Sequence, residues 1–328
     1  MTSNGLLTSF LQYRAGRTSI GTGSGAQTSN QKNKLKHSER SKKKKMVSIM
    51  VPAKNEGFLQ KTIDGIIEQA TGQFEVIVGL DGYSPNPPII NHPKVKIIHS
   101  AKGLGMRKMI NAMVDMAQGE FILKTDAHCI FDKGFDEKLS GDCDDNWVST
   151  LNQCSLDGDT WARKENQIDY WYLSAPEGIL ENGRHEGLHA IRWWGRSDEK
   201  KDVIIDDQMS FQGSCWFTTK KHFHNMELMD TNGFGDFANE ACEIGMKTWM
   251  SGGRVVINKK TWYAHLSKGK KYGRGYFLSK QAVIDSSKFN REFCMKKIWP
   301  KAIYDMRWLV EKFAPVPTWE NFNWEAHA

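Results

Sequence analysis

Residues 47–52 (Val-Ser-Ile-Met-Val-Pro) form an apolar run of the length of a buried strand, and 53–56 read as the loop after it. Apolar positions then recur at helical spacing over 59–69, with Ile63, Ile66 and Ile67 on one face. The pattern predicts a strand at 75–81 ending on Asp81 and another at 95–98. A helix follows over 104–117, turning Met106, Met109, Ile110, Met113 and Val114 inward and closed by Gly119. The next strand, 121–125, delivers Asp126 and His128. Strands that alternate with helices predict an α/β fold on a mostly parallel sheet. In such sheets ligands bind beyond the carboxyl ends of the strands, where Asn55, Asp81 and Asp126 all fall.

The second half is less regular. Strands are expected at 209–217, 254–257 and 262–265, and a helix at 237–249. Helical patterns dominate from Tyr276, before Pro315 and Pro317 open an aromatic tail. No internal repeat is visible. Neither G-x-G-x-x-G nor a Walker A loop is present, so dinucleotide and P-loop readings lack their phosphate cradle.

Charge changes this picture more than composition does. Residues 1–46 carry ten Lys and Arg against one acid, and 47–253 carry 20 against 31. Residues 254–312 then carry 15 against 4. An acidic body followed by a basic segment suits a metal site beside a polyanion-facing surface, or equally a lysine-rich solvated one. Residues 1–45, rich in Ser, Thr, Gly and Lys, read as a disordered basic leader. Its Lys42–Lys45 run also fits a nucleic-acid patch, and its acid-poor composition a transit peptide. The apolar runs fall far short of the ~20 residues that span a bilayer, so no stable membrane insertion is expected. The six cysteines form no C-x-x-C pair, which fits reduced thiols in a cytoplasmic setting.

The triplet Asp126-Ala127-His128 is the strongest chemical signal. Side chains two apart on an extended segment point the same way, so a carboxylate and an imidazole can share one ion. That pair suits Mn²⁺ (or Mg²⁺) better than a calcium cage built from oxygen alone. Taken alone, an Asp and a His at a strand end are more often solvated loop residues.

The order of motifs resembles the glycosyltransferases of the GT-A fold, family 2 and its relatives. Val-Ser-Ile-Met-Val-Pro-Ala-Lys-Asn-Glu at 47–56 is similar to that family's opening strand and loop. Leu80-Asp81-Gly82-Tyr83-Ser84 looks like its nucleoside-contacting turn, and 119–128 like the strand entering its metal motif. The His128 form, followed by Cys129, resembles the polypeptide N-acetylgalactosaminyltransferases. So do the two Glu, Trp and Gly pair of 240–253 and the Trp262-Tyr263-Ala264-His265 that follows.

The resemblance implies a Rossmann-like GT-A domain over 46–275, mostly parallel with helices on both faces, and a C-terminal helical extension over 276–328. It implies a cation held by Asp126, His128 and His265, and a donor pocket using Pro52, Asn55, Glu56, Asp81 and Asp126. Arg107 and the 268–271 run (Lys-Gly-Lys-Lys) are expected on phosphate oxygens. Glu240, Asp236 and Glu243 are the candidate catalytic carboxylates. Where inverting members place an Asp after the first Glu of the downstream helix, this chain has Ala241, which takes no proton. Either Glu240 or Asp236 substitutes as base, or configuration is retained.

The implied activity is transfer of a sugar from a nucleotide-sugar, a UDP-sugar first, to a hydroxyl on a saccharide, a protein or a hydroxymethylated base of phage-type DNA. A catalytically inactive nucleic-acid-binding relative is the alternative. A nucleotidyltransferase would want two carboxylates for two metals, which the Asp–His triplet does not supply.

Overall fold

In the computed structural model, which describes residues 45–176, 187–277 and 279–327, the chain opens with β1 (Met46–Ala53), α1 (Leu59–Gln69), β2 (Gln73–Asp81) and β3 (Val95–Ser100). Next come α2 (Met106–Met116), β4 (Phe121–Thr125), β5 (Cys129–Phe131), α3 (Phe135–Asp142), β6 (Trp147–Leu156) and β7 (Arg163–Ile168). The middle holds β8 (Trp171–Leu173), β9 (Ala190–Arg192), α4 (Trp194–Glu199), β10 (Ile205–Asp207), β11 (Cys215–Thr219) and α5 (Lys220–Asn225). The last part is α6 (Glu240–Met250), β12 (Arg254–His265), the single turn α7 (Gly269–Tyr272), α8 (Lys280–Met295) and α9 (Met306–Phe313). These elements belong to one unit, Lys44–Ala328, and the leader lies outside the described residues apart from Lys45.

The main sheet runs β10-β12-β6-β11-β4-β1-β2-β3, with β5 added on β12 and β7 on β6. Strands β3, β2, β1 and β4 are parallel, as the alternation of strands and helices predicts. Beyond them β11 runs antiparallel to both β4 and β6, while β12 returns parallel to β6. The architecture is therefore α/β, with a mixed sheet whose first half is wholly parallel.

A core lies on each face, and the pleat decides which residue enters which. Val47, Ile49 and Val51 of β1 join Ile63 and Ile66 of α1 on one side. Met50, Ile77 and Ile122 face the other side, with Met109 and Met113 of α2. Gly79 stands where α2 crosses β2: a Cβ there would lie 2.6 Å from Cγ of Met109, so glycine sets the depth at which the helix seats. Phe293 of α8, with Leu309 and Phe313 of α9, packs into the core that holds Trp249 of α6. The segment from 276 onward thus shares its core with the helix that carries Glu240.

Three boundaries in the second half differ from the sequence expectation. The strand expected at 209–217 begins only at Cys215, because the chain turns at 212–214, where the Gln212 side chain accepts the Ser214 N–H at 2.9 Å. The helix expected from 237 starts at Glu240, since Ala238 and Asn239 hold left-handed φ values of 76° and 52°. Expected as two strands, β12 is one, with an irregularity between Asn258 and Trp262.

The basic segment and the acidic body neutralise each other. Arg254 and Lys312 pair with Asp207, Lys259 with Asp169, and Lys260 with Asp142. Lys268 pairs with Glu56, Lys271 with Asp159 and Lys301 with Glu227. Among the described residues, no helix is long and apolar enough to cross a membrane.

Candidate active site

Sheet topology explains why residues 126, 128 and 265 meet. Asp126 leaves the end of β4, its N–H held by the Ser214 carbonyl at 2.8 Å. The antiparallel pairing of β12 with β5 sets His265 opposite Cys129, and the Leu266 N–H reaches the His128 carbonyl at 3.1 Å. A strand expected from its own pattern at 262–265 thereby closes on the Asp126-Ala127-His128 triplet, with His265 lying 137 residues beyond His128 along the chain.

The three side chains offer a ligand set. Asp126 Oδ2 lies 3.3 Å from His265 Nε2 and 3.9 Å from His128 Nε2, and the two imidazole nitrogens are 3.1 Å apart. Ligands about 2.1 Å from one divalent cation, at right angles, would be about 3.0 Å apart. Glu56, in the loop after β1, accepts from His128 Nδ1 at 3.0 Å. That bond places the ring proton on Nδ1 and turns the Nε2 lone pair toward the other two ligands, the second-sphere arrangement of metal-bound histidines. One carboxylate and two imidazoles, all half-buried, fit an intermediate-hardness cation. The residues present fit the group.

Beneath the triad lies a charged network centred on Lys124, a residue the sequence pattern does not mark as functional. Lys124, in β4 and two residues before Asp126, is buried. Its ammonium donates to Asp126 Oδ1 at 2.8 Å and to the Gly213 carbonyl at 2.8 Å, and reaches Glu240 at 3.2 Å. Glu240, at the first position of α6, also accepts from Trp216 Nε1 at 2.6 Å. Burial pushes the Glu240 carboxyl up, while for Lys124 the same burial is outweighed by Asp126 and Glu240, which hold the ammonium above its ordinary value. Burial would also raise Asp126, yet the Lys124 charge and the His265 hydrogen bond hold it far below the usual carboxylate range. Burial lowers His265, favouring the neutral ring that a cation needs. The i, i+2 spacing of Lys124 and Asp126 on a strand was the available signal for this pair.

The remaining sequence candidates divide. Pro52 lies in β1 beside Gly79 of β2, and the Asn55 side chain donates to the Gly275 carbonyl. Glu56 is held by His128 and, at 2.8 Å, by Lys268; burial raises its carboxyl but these two partners bring it lower. The Asp81 carboxylate receives the N–H groups of Leu104 and Gly105, with Lys54 at 3.6 Å. Asp236 is exposed, 3.7 Å from Lys108. Arg107 and Glu243, expected at phosphate and in catalysis, are both wholly buried and ion-paired with each other. Neither touches the triad, because α2 and α6 turn them into the core between the helices.

Fold and site together define a GT-A glycosyltransferase. Residues 48–223, more than half of the chain, match the model of glycosyl transferase family 2, and the chain belongs to that family. No curated protein matches it in sequence. Among solved structures it is similar to GalNAc-T7 with UDP, GalNAc and Mn²⁺, at TM-score 0.58 and 14% identity over 83% of this chain and 57% of that one. It is likewise similar to residues 1–349 of S. aureus TarS in complex with UDP-GlcNAc, at TM-score 0.52 and 15% identity over 80% and 69% of the two chains. The chain thus spans a little over half the length of the GalNAc-T7 chain, and at these identities the likeness is one of fold.

Proposed function

We propose that the chain transfers a glycosyl group from a UDP-sugar to a hydroxyl acceptor, with Mn²⁺ or Mg²⁺ held by Asp126, His128 and His265. The observation that carries this is the convergence of those three side chains, with Glu56 fixing the tautomer of His128. Solved structures of the same fold that contain UDP or UDP-GlcNAc, one of them with Mn²⁺, support it. When bound, the cation would neutralise the charge that develops on the departing diphosphate. Asp81, engaged by Leu104 and Gly105, fixes the loop that borders the nucleoside side, and Pro52, Asn55 and Glu56 line the donor pocket. Lys268, seated on Glu56 next to the triad, is the member of the 268–271 run best placed for phosphate oxygens. The test is a screen of nucleotide-sugars with Mn²⁺, scoring release of UDP or GDP. UDP release from at least one UDP-sugar is expected; no release from any donor would remove the reading.

Of the two candidate bases, Glu240 is committed to other partners, whereas Asp236 is exposed on the surface. Both oxygens of Glu240 are engaged, by Lys124 and Trp216, and Asp236 is directed at Lys108. We infer retention of configuration, since Glu240 is held by Lys124 and Trp216 and the described contacts of Asp236 do not include the triad. The acceptor oxygen bonds to the anomeric carbon on the face from which the phosphate oxygen departs, and that oxygen takes the hydroxyl proton. NMR of an early product is expected to show the donor's anomeric configuration.

Saccharide and protein hydroxyls suit the acceptor side better than modified DNA does. Seven of the fifteen Lys and Arg side chains of 254–312 already pair with acids of the 47–253 body, so that segment presents much less free charge than its composition suggests. The complete triad also speaks against an inactive nucleic-acid-binding relative, which would have no use for it.

A further inference from the structure

Lys124 is buried with a full set of hydrogen-bond partners. An ammonium has three N–H donors and no acceptor. Here all three are engaged, by Asp126 Oδ1, the Gly213 carbonyl and Glu240, and the side chain is 1% exposed. Each Glu240 oxygen accepts, one from the Trp216 indole, which is the pattern of an ionised carboxylate. So a row of alternating charges runs from the start of α6 through β4 to the triad: Glu240 negative, Lys124 positive, Asp126 negative.

Two consequences follow. By holding Oδ1, Lys124 fixes the Asp126 rotamer and leaves Oδ2 facing the two imidazoles. It also partly neutralises the one carboxylate among the three ligands. With Lys124 on the same carboxylate, and with Glu56 behind His128 itself held by Lys268, a free divalent cation meets a poorly compensated site. A diphosphate arriving with the cation brings the missing negative charge.

We propose that Lys124 is a positioning residue whose shared hold on Asp126 makes the site favour the cation–diphosphate pair over the free cation. This rests on the cation reading of the triad. The buried ammonium repels Mn²⁺ and attracts a diphosphate, and Glu240, by partly neutralising it, sets the balance. The two side chains therefore pull binding in opposite directions.

The experiment measures Mn²⁺ alone, by the free-ion EPR signal, and UDP alone, by calorimetry, on the full chain. Lys124→Met is expected to tighten Mn²⁺ and to weaken UDP, each by roughly tenfold. Glu240→Gln is expected to do the reverse, loosening Mn²⁺ and tightening UDP. Mere loss of structure weakens both ligands in both variants, so the crossed signs separate the two explanations. Shifts of the same sign in both variants, or no shift in Glu240→Gln, overturn the proposal. If wild type and Asp126→Ala bind Mn²⁺ identically with and without UDP, the cation reading falls and takes this inference with it. Crossed signs missing in a protein whose Mn²⁺ binding does depend on Asp126 sink only the role of Lys124.

Discussion

Asp126→Ala is expected to lower sugar transfer by roughly 10²–10³-fold, mainly in kcat, because one preorganised charge at a developing anion contributes on that scale. The substitution removes a ligand and also strips the buried Lys124 ammonium of its shortest charged contact. The second effect should appear as a stability loss of about 1–3 kcal/mol, the range for an orphaned buried polar group. His265→Ala separates the two, since His265 has no bond to Lys124 among its contacts: it should lose a comparable factor in rate with a smaller stability change. Steady-state UDP release and denaturant unfolding of both variants provide the check. Wild-type turnover of Asp126→Ala in Mn²⁺ would show that the triad holds no catalytic cation.

The first half of the fold was legible because its pattern is local. Helix α1 spans 59–69 as the spacing of Ile63 and Ile66 requires, and β4 ends where the apolar run gives way to Asp126. The convergence of 126, 128 and 265 was legible only through ordered motifs, since nothing in the neighbourhood of His265 reveals that β12 will pair with β5. The start of α6 was missed for a conformational reason, two left-handed residues that carry no glycine signature. Strand β6, between β12 and β11 in the mixed half of the sheet, was missed too. Its Ser149, Thr150, Asn152 and Gln153 are buried despite being polar, so neither the apolar run nor the alternation that marks a strand was there to read. Arg107 was ambiguous in sequence, because a cation near a phosphate site and a cation neutralising a buried helix look alike there; the structure buries it against Glu243.

Glu243 shows what that ambiguity means energetically. Its carboxylate takes Arg107 from α2, Lys247 Nζ at 2.8 Å from its own helix and the Asp230 N–H at 2.9 Å. Arg107 also donates to the Asp230 and Ala238 carbonyls, so one buried cluster fastens α2, α6 and the connection leading into α6. Glu243→Ala leaves two cations in the core with no carboxylate, and breaking a buried pair in this way costs about 3–5 kcal/mol. Against a total of about 5–15 kcal/mol the variant should unfold at much lower denaturant or fail to accumulate. Replacing both members, Arg107→Met with Glu243→Leu, should recover part of the loss, because well-packed apolar side chains remove the uncompensated charge. Glu240 lies one turn before Glu243, so a loosened α6 would also disturb Lys124 and through it Asp126. The two roles open to Glu243 then predict different splits. A structural Glu243 gives Glu243→Gln a lowered unfolding midpoint with kcat moved only in proportion to the folded fraction. A Glu243 that handles protons would instead lose kcat in that variant while its midpoint stayed put, and the buried pair with Arg107 leads us to expect the first.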